Sequence, residues 1–334
     1  MLPSMLVMFL FIALPLGWVA IQSLYVEHEQ SMKLVENCGP FGCKMERQVD
    51  TEAMKALTEA QPMGRFNGLA TYLDANHLAL KQVRDIWSQR SSVAQATSQL
   101  LNLPFYKALS FTLSYTAIVT PLVILLGFIV ALSVNRIPAL LRGPVIFFSL
   151  LPMIVTPLMG SLVLFWMIDA RGVIGANLQL LFNDPELSLK ASPALSWVTL
   201  FVYGVWHATP FSFIVFYAGL QTVPREILES ARVDGTHALQ RVRYIIIPHL
   251  MPLAVFIALV QLMDNFRVFE PIIGLSAQAN ATSLSYQIYS DLRGQESPLF
   301  GSASATSMMT IAGIIVLLLP MLRRTWRDFT QRSR

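Results

Sequence analysis

The stretch EILESARVDGTHALQRVRYIIIP, residues 226–248, lies between two long apolar runs and sets Glu229, Arg232, Asp234, Arg241 and Arg243 around a single glycine, Gly235. A plain connector between membrane helices needs only a few polar turn residues. This one is patterned as a short helix, a turn and a second helix. Gly235 can take left-handed backbone angles and end the first helix. Thr236 is placed to N-cap the second, and Pro248 to open the apolar helix that follows. The spacing predicts a compact helical knob suited to docking into a groove of another protein.

The composition around the knob points to lipid. The chain has 334 residues, 54% of them hydrophobic and 13% charged, where soluble domains carry about 25% charged residues. The net charge of +4 is small and gives no reason to expect a nucleic acid partner. A bilayer span takes about 20 mostly apolar residues. Six runs qualify: Leu2–Leu24, Leu109–Val134, Pro144–Ile168, Leu195–Leu220, His249–Phe269 and Ser302–Leu322. The short connectors 135–143 and 221–248 and the tail 323–334 are rich in arginine, whereas 169–194 and 270–301 are poor in it. By the positive-inside rule the arginine-rich set is cytoplasmic, which puts both termini inside.

The first apolar run lacks a basic leader and exceeds the usual signal-peptide core, so residues 1–24 are expected to be an uncleaved transmembrane helix. Residues 25–105 then lie outside. They hold both cysteines, in CGPFGC: Cys38 and Cys43 around a turn-forming spacer, for which a local disulfide is the expected state. Metal ligation is disfavoured, because two thiols need two more ligands and the nearest histidine is His28. From residue 69 on, apolar residues fall near every third or fourth position, Leu69, Leu73, Leu78, Val83 and Trp87 among them, so the segment reads as a helical cap.

No phosphate-binding loop, HExxH or GxSxG occurs, and no hydrolytic site is expected. ESARVDGTHALQRVRYIIIP does resemble the EAA motif of binding-protein-dependent ABC importer permeases, EAAxxDGA followed by an IxLP ending, with Ser230, Thr236 and Ile247 replacing two alanines and a leucine. LPFYKALSFTLSYT, AGLQTVPREILES and NFRVFEPI resemble further stretches of the same family. Residues 104–322 are similar to its carbohydrate-uptake members, the maltose-transporter branch with an extra N-terminal helix in particular.

The resemblance implies an all-α integral membrane protein of the type I ABC importer permease fold: six transmembrane helices, an external helical cap, a core over 106–322 with the coupling loop 221–248, and a basic cytoplasmic tail. It makes Glu229, Ala231, Asp234 and Gly235 the residues that engage a separate ATPase. It implies partners: a second permease, two ATPase subunits and a periplasmic solute-binding protein. ATP and Mg would be bound by the ATPase, with no cofactor and no catalysis in this chain. The place is the inner membrane.

Tyr203, Gly204, Trp206, His207 and Phe211 in one span, with Gln261, Asp264, Asn265 and Arg267 in the next, form the expected solute path. Polar groups inside spans are costly and face the bundle interior. Asp264 and Arg267 are three apart and can pair on one helix face, which fits a structural ion pair or a polar wall. A sugar, glycoside or polyol is the expected solute. The alternatives are an anionic sugar-phosphate held by Arg267 and an ion-coupled secondary transporter using Asp264 or Glu270.

Overall fold

The computed structural model describes residues 2–28, 31–39, 42–88, 92–293 and 298–332, and the chain clusters into two compact units, 1–107 with 287–312 and 108–286 with 313–334.

In the first unit the apolar helix Pro3–Gln22 is long enough to span a bilayer. Its turn Phe9–Ala13 is π-helical, and Leu14 N–H donates to the Phe9 carbonyl. Pro15 follows at once; having no N–H, it leaves a carbonyl one turn back without its usual partner, and a widened turn accommodates the gap. The expected helical cap over 25–105 is helical only in part: the stretch from residue 69 on, where the periodicity lies, forms helices, but strands precede it. Met32–Gly39 and Gly42–Val49 form an antiparallel hairpin in which Cys38 stands opposite Cys43. The side chains of Cys38 and Cys43, and with them the expected disulfide, lie outside the described residues. Tyr25–Val26 pairs with Arg65–Phe66. Gly64 follows a turn at φ +88°, and a Cβ there would stand 2.4 Å from the Val26 carbonyl oxygen.

Helices Thr51–Ala60, Ala70–Leu73, Leu80–Ser88 and Val93–Leu101 complete the cap segment. Asp50 caps the first, its Oδ1 accepting from Glu52 and Ala53 N–H at 3.2 Å. These bonds, Ala53's foremost, hold its carboxyl below the usual range. His77 is buried, with Nε2 3.2 Å from the Ser302 carbonyl, and Ser302 Oγ donates to Asp291 Oδ2 at 2.7 Å.

The second unit is a helical bundle. Pro193–Leu220 and Ala238–Phe266 lie in it entirely, with Pro104–Arg136 from residue 108 and Phe300–Arg323 from residue 313, and each of the four helices is long and apolar enough to cross a membrane. With the N-terminal helix that makes five among the described residues, or six if the pair Ala139–Ile154 and Pro157–Met167 counts as one span. That pair departs from the straight helix expected over Pro144–Ile168: it bends by 93°. Val155 and Thr156 are extended at the break (ψ 129° and 145°). The cause is Pro157, which drives the residue before it out of helical geometry and offers no N–H.

Two apolar clusters hold the bundle. Phe111, Tyr115, Val119, Leu200 and Ile272 belong to one, and Phe213, Phe216, Leu250 and Ile257 to the other. Long apolar side chains such as Leu125, Phe148 and Val202 are instead exposed, as a lipid-facing surface requires. Lipid gives helices little hydrophobic reason to associate, so close packing and buried polar bonds must hold them. Gly274 meets Ser161 so closely that a Cβ would stand 2.0 Å from its Oγ. Asn265 Nδ2 donates to Thr120 Oγ1 at 3.0 Å across two helices, a type of bond worth about 0.6 kcal/mol in a bilayer.

Candidate functional site

A cavity of about 570 Å³ opens in the second unit, within the range of small-molecule sites. The 193–220 helix contributes Tyr203, Gly204, His207, Ala208 and Phe211, which recur at four-residue spacing and so share one face. The 247–266 helix and the turn after it contribute Gln261, Asp264, Asn265, Arg267 and Glu270. Eight of the nine residues expected on the path thus line one cavity. Trp206 does not: it is half exposed and lines a neighbouring apolar cleft with Leu122, Leu126 and Pro210. Its step of one residue from His207 turns it about a quarter of the way round the helix.

The bend in the 139–167 pair decides what Tyr203 and His207 do. Tyr203 donates its hydroxyl to the Pro157 carbonyl at 2.7 Å, and His207 Nε2 lies 3.0 Å from the Val155 carbonyl. A carbonyl only accepts, so this nitrogen carries the proton. Both side chains thereby satisfy backbone oxygens at the broken helix, and their rings stack at 5.9 Å. Gly204 admits Tyr115, whose hydroxyl would stand 2.0 Å from a Cβ there. Tyr115 itself lines the cavity; reading the sequence overlooked it, though a tyrosine within a span was the signal.

The opposite wall is polar. Gln261 is buried and its Oε1 has no hydrogen-bond partner. Asn265 is buried on Thr120. Arg267 Nη2 donates to Asp264 Oδ1 at 3.0 Å and its Nε to the Met263 carbonyl at 3.3 Å. The ion pair expected from the three-residue spacing is therefore formed, at the exposed end of the helix.

The knob lies at the other end of the same two helices. Arg225–Val233 is followed by Gly235 at φ +76°. Thr236 N–H donates to the Ala231 carbonyl and Gly235 N–H to the Arg232 carbonyl, both at 3.1 Å, the pairing of a Schellman C-cap. Thr236 also places its hydroxyl on the Ala231 carbonyl at 2.5 Å. It is thus part of the turn, and His237, not Thr236, is the cap residue of the next helix. Arg241 closes the turn by donating to the Thr236 carbonyl.

The second knob helix also does not stop at Pro248. It runs through a π-helical turn, Val242–Ile246, directly into the membrane helix. As at Pro15, the widened turn stands just before a proline. Ala231 is buried, while Glu229, Asp234 and Gly235 are exposed, as are Val233 and Leu239. Bonds that the sequence did not reveal tie the knob to the bundle: Thr222 Oγ1 lies 3.0 Å from His249 Nε2, and Gln221 Nε2 donates to Asn135 Oδ1 at 3.2 Å.

Among curated proteins, the chain is 28% identical to a probable ABC transporter permease of Sinorhizobium fredii over 69% of its own length and 74% of the relative's. It is 29% identical to the trehalose transport system permease SugA of Mycobacterium tuberculosis, covering 66% and 70% of the two chains. It is 26% identical to the sn-glycerol-3-phosphate transport system permease UgpA of Yersinia pestis, covering 69% and 79%. A chain of a bacterial ABC transporter involved in the import of the acidic polysaccharide alginate superposes with a TM-score of 0.61 over 83% of this chain and 96% of its own, at 19% identity. That likeness speaks for the type I importer permease fold. Residues 101–331 match the family described as binding-protein-dependent transport system inner membrane component, and the chain belongs to it.

Proposed function

We propose that this chain is the permease subunit of a sugar-type ABC importer, in which the cavity is part of the solute path and the knob couples it to a separate ATPase. The observation that carries this reading is continuity: the 193–220 helix, which bears cavity residues along its middle, and the 238–266 helix, which bears them at its far end, are joined by the knob. A rigid displacement of the knob would tilt both helices and open or close the cavity. Relatives named for trehalose and glycerol phosphate support a hydroxyl-rich solute. Exposed Val233 and Leu239 beside Glu229 and Asp234 suit a groove on a partner. The arginine-rich knob and tail belong on the cytoplasmic side by the positive-inside rule. The importer would be completed by a second permease, two ATPase subunits holding ATP and Mg, and an external solute-binding protein.

The test is gentle purification through a tag on this chain with mass spectrometry of what accompanies it. An ATPase and a second permease are expected. A chain recovered intact and alone would overturn the coupling.

A further inference from the structure

The cavity's hydrogen-bond inventory is lopsided. Several of its donors are engaged inside the protein: the Tyr203 hydroxyl on Pro157, Asn265 Nδ2 on Thr120, and Arg267 Nη2 and Nε on Asp264 and Met263. Two of its acceptors are unengaged among the described residues. Gln261 Oε1 is buried without a donor. The exposed Glu270 carboxylate has no cation or donor partner among the described residues. A carboxylate can only accept. Charge leans the same way, since Asp264 and Arg267 cancel and no other lysine or arginine lines the cavity, so Glu270 leaves one uncompensated negative charge.

Resting on the reading of this cavity as the solute path, we infer that it is an anion-excluding path for uncharged, hydroxyl-rich solutes, with Glu270 as the discriminating residue. Sugar hydroxyls supply the donors that Gln261 and Glu270 lack. The phosphate or carboxylate group of a charged solute adds acceptors and negative charge to a wall that already has both. An anion drawn to Arg267 would meet Asp264 already paired with it. The cavity therefore separates two chemistries that the names of the relatives, trehalose and glycerol phosphate, leave together.

The test uses the full chain in lipid nanodiscs carrying Ala208→Cys, a small change at a lining position. Its modification is timed with two methanethiosulfonates of similar size, one bearing a trimethylammonium and one a sulfonate. Rates are taken as the increment over the unsubstituted chain and normalised to the same reagents with free cysteine. One unit charge about 6 Å away across water favours the cation over the anion by roughly tenfold. Glu270→Gln should bring the ratio close to one. A ratio at or below one without that substitution, a ratio unmoved by Glu270→Gln, or no modification by either reagent overturns the inference. Labelling needs no partner and no ATP, so this result stands apart from that of the co-purification.

Discussion

His207 Nε2 stands 3.0 Å from the carbonyl oxygen of Val155, at the break where Pro157 opens the second half of a bent helix pair. The histidine sits on the cavity wall while its proton is committed to the backbone. It is first an interhelical tie, and only through that tie a part of the cavity. His207→Ala should cost about 1 kcal/mol of stability, the ordinary value of such a bond, and should also weaken solute uptake by loosening the bent pair. His207→Gln can still donate and should recover part of both. Thermal unfolding with uptake kinetics checks this: uptake lost at unchanged stability would instead make the histidine a direct solute ligand.

Gly235 holds φ +76° and donates its N–H to the Arg232 carbonyl. Proline can do neither, since its ring fixes φ near −65° and it has no N–H. Gly235→Pro should abolish uptake while membrane insertion stays intact. Gly235→Asn, tolerated in left-handed geometry, should keep most of it. Measured uptake beside the amount of chain in the membrane decides; full uptake in the proline variant would remove the knob from the mechanism.

Gly274 and Ser161 make a close helix approach that a single atom would break. A Cβ on Gly274 meets Ser161 Oγ at 2.0 Å and the Leu158 carbonyl at 2.9 Å. Gly274→Ala should cost about 1–3 kcal/mol by overpacking. Ser161→Ala removes the nearer obstacle and should restore part of that loss. The double-mutant cycle, read by thermal unfolding, should show coupling between the two.

Asp291 is buried beside His77, Ser302 and Glu27 in the first unit, and burial, foremost, raises its carboxyl above the ordinary value of 3.8. A raised group binds its proton more tightly in the folded chain. Its stabilising share is therefore whole below 3.8 and is lost as pH rises through the raised value. Asp291→Asn keeps an acceptor for Ser302 without the buried charge. It should match or exceed the parent in thermal stability at pH 7, and the gap should close as pH falls. A gap that widens in acid would reverse the sign argued for this carboxyl.

The sequence by itself determined the solvent, the spans and the knob. Composition and run length need no partner to be read, and the Glu229–Gly235 spacing carries its own turn chemistry, which the Schellman bonds express. Four-residue recurrence likewise brought Tyr203, His207 and Phe211 onto one face. What it could not determine depends on groups far apart in the chain. The Pro144–Ile168 run reads as a straight span because hydropathy is blind to a proline's effect on the residue before it, and the bend appears only in the backbone. Trp206 was placed on the path by chemistry, yet its direction on the helix sends it elsewhere. The hairpin of 32–49 escaped because strand pairing is decided between segments. Above all, the tertiary structure decided which polar groups were left free. Arg267 looks like an anion ligand in the sequence, and only the geometry shows its charge paired with Asp264 and its Nε held by Met263. A hydrogen bond is a relation between two places in the fold, and the sequence names only the groups able to make one.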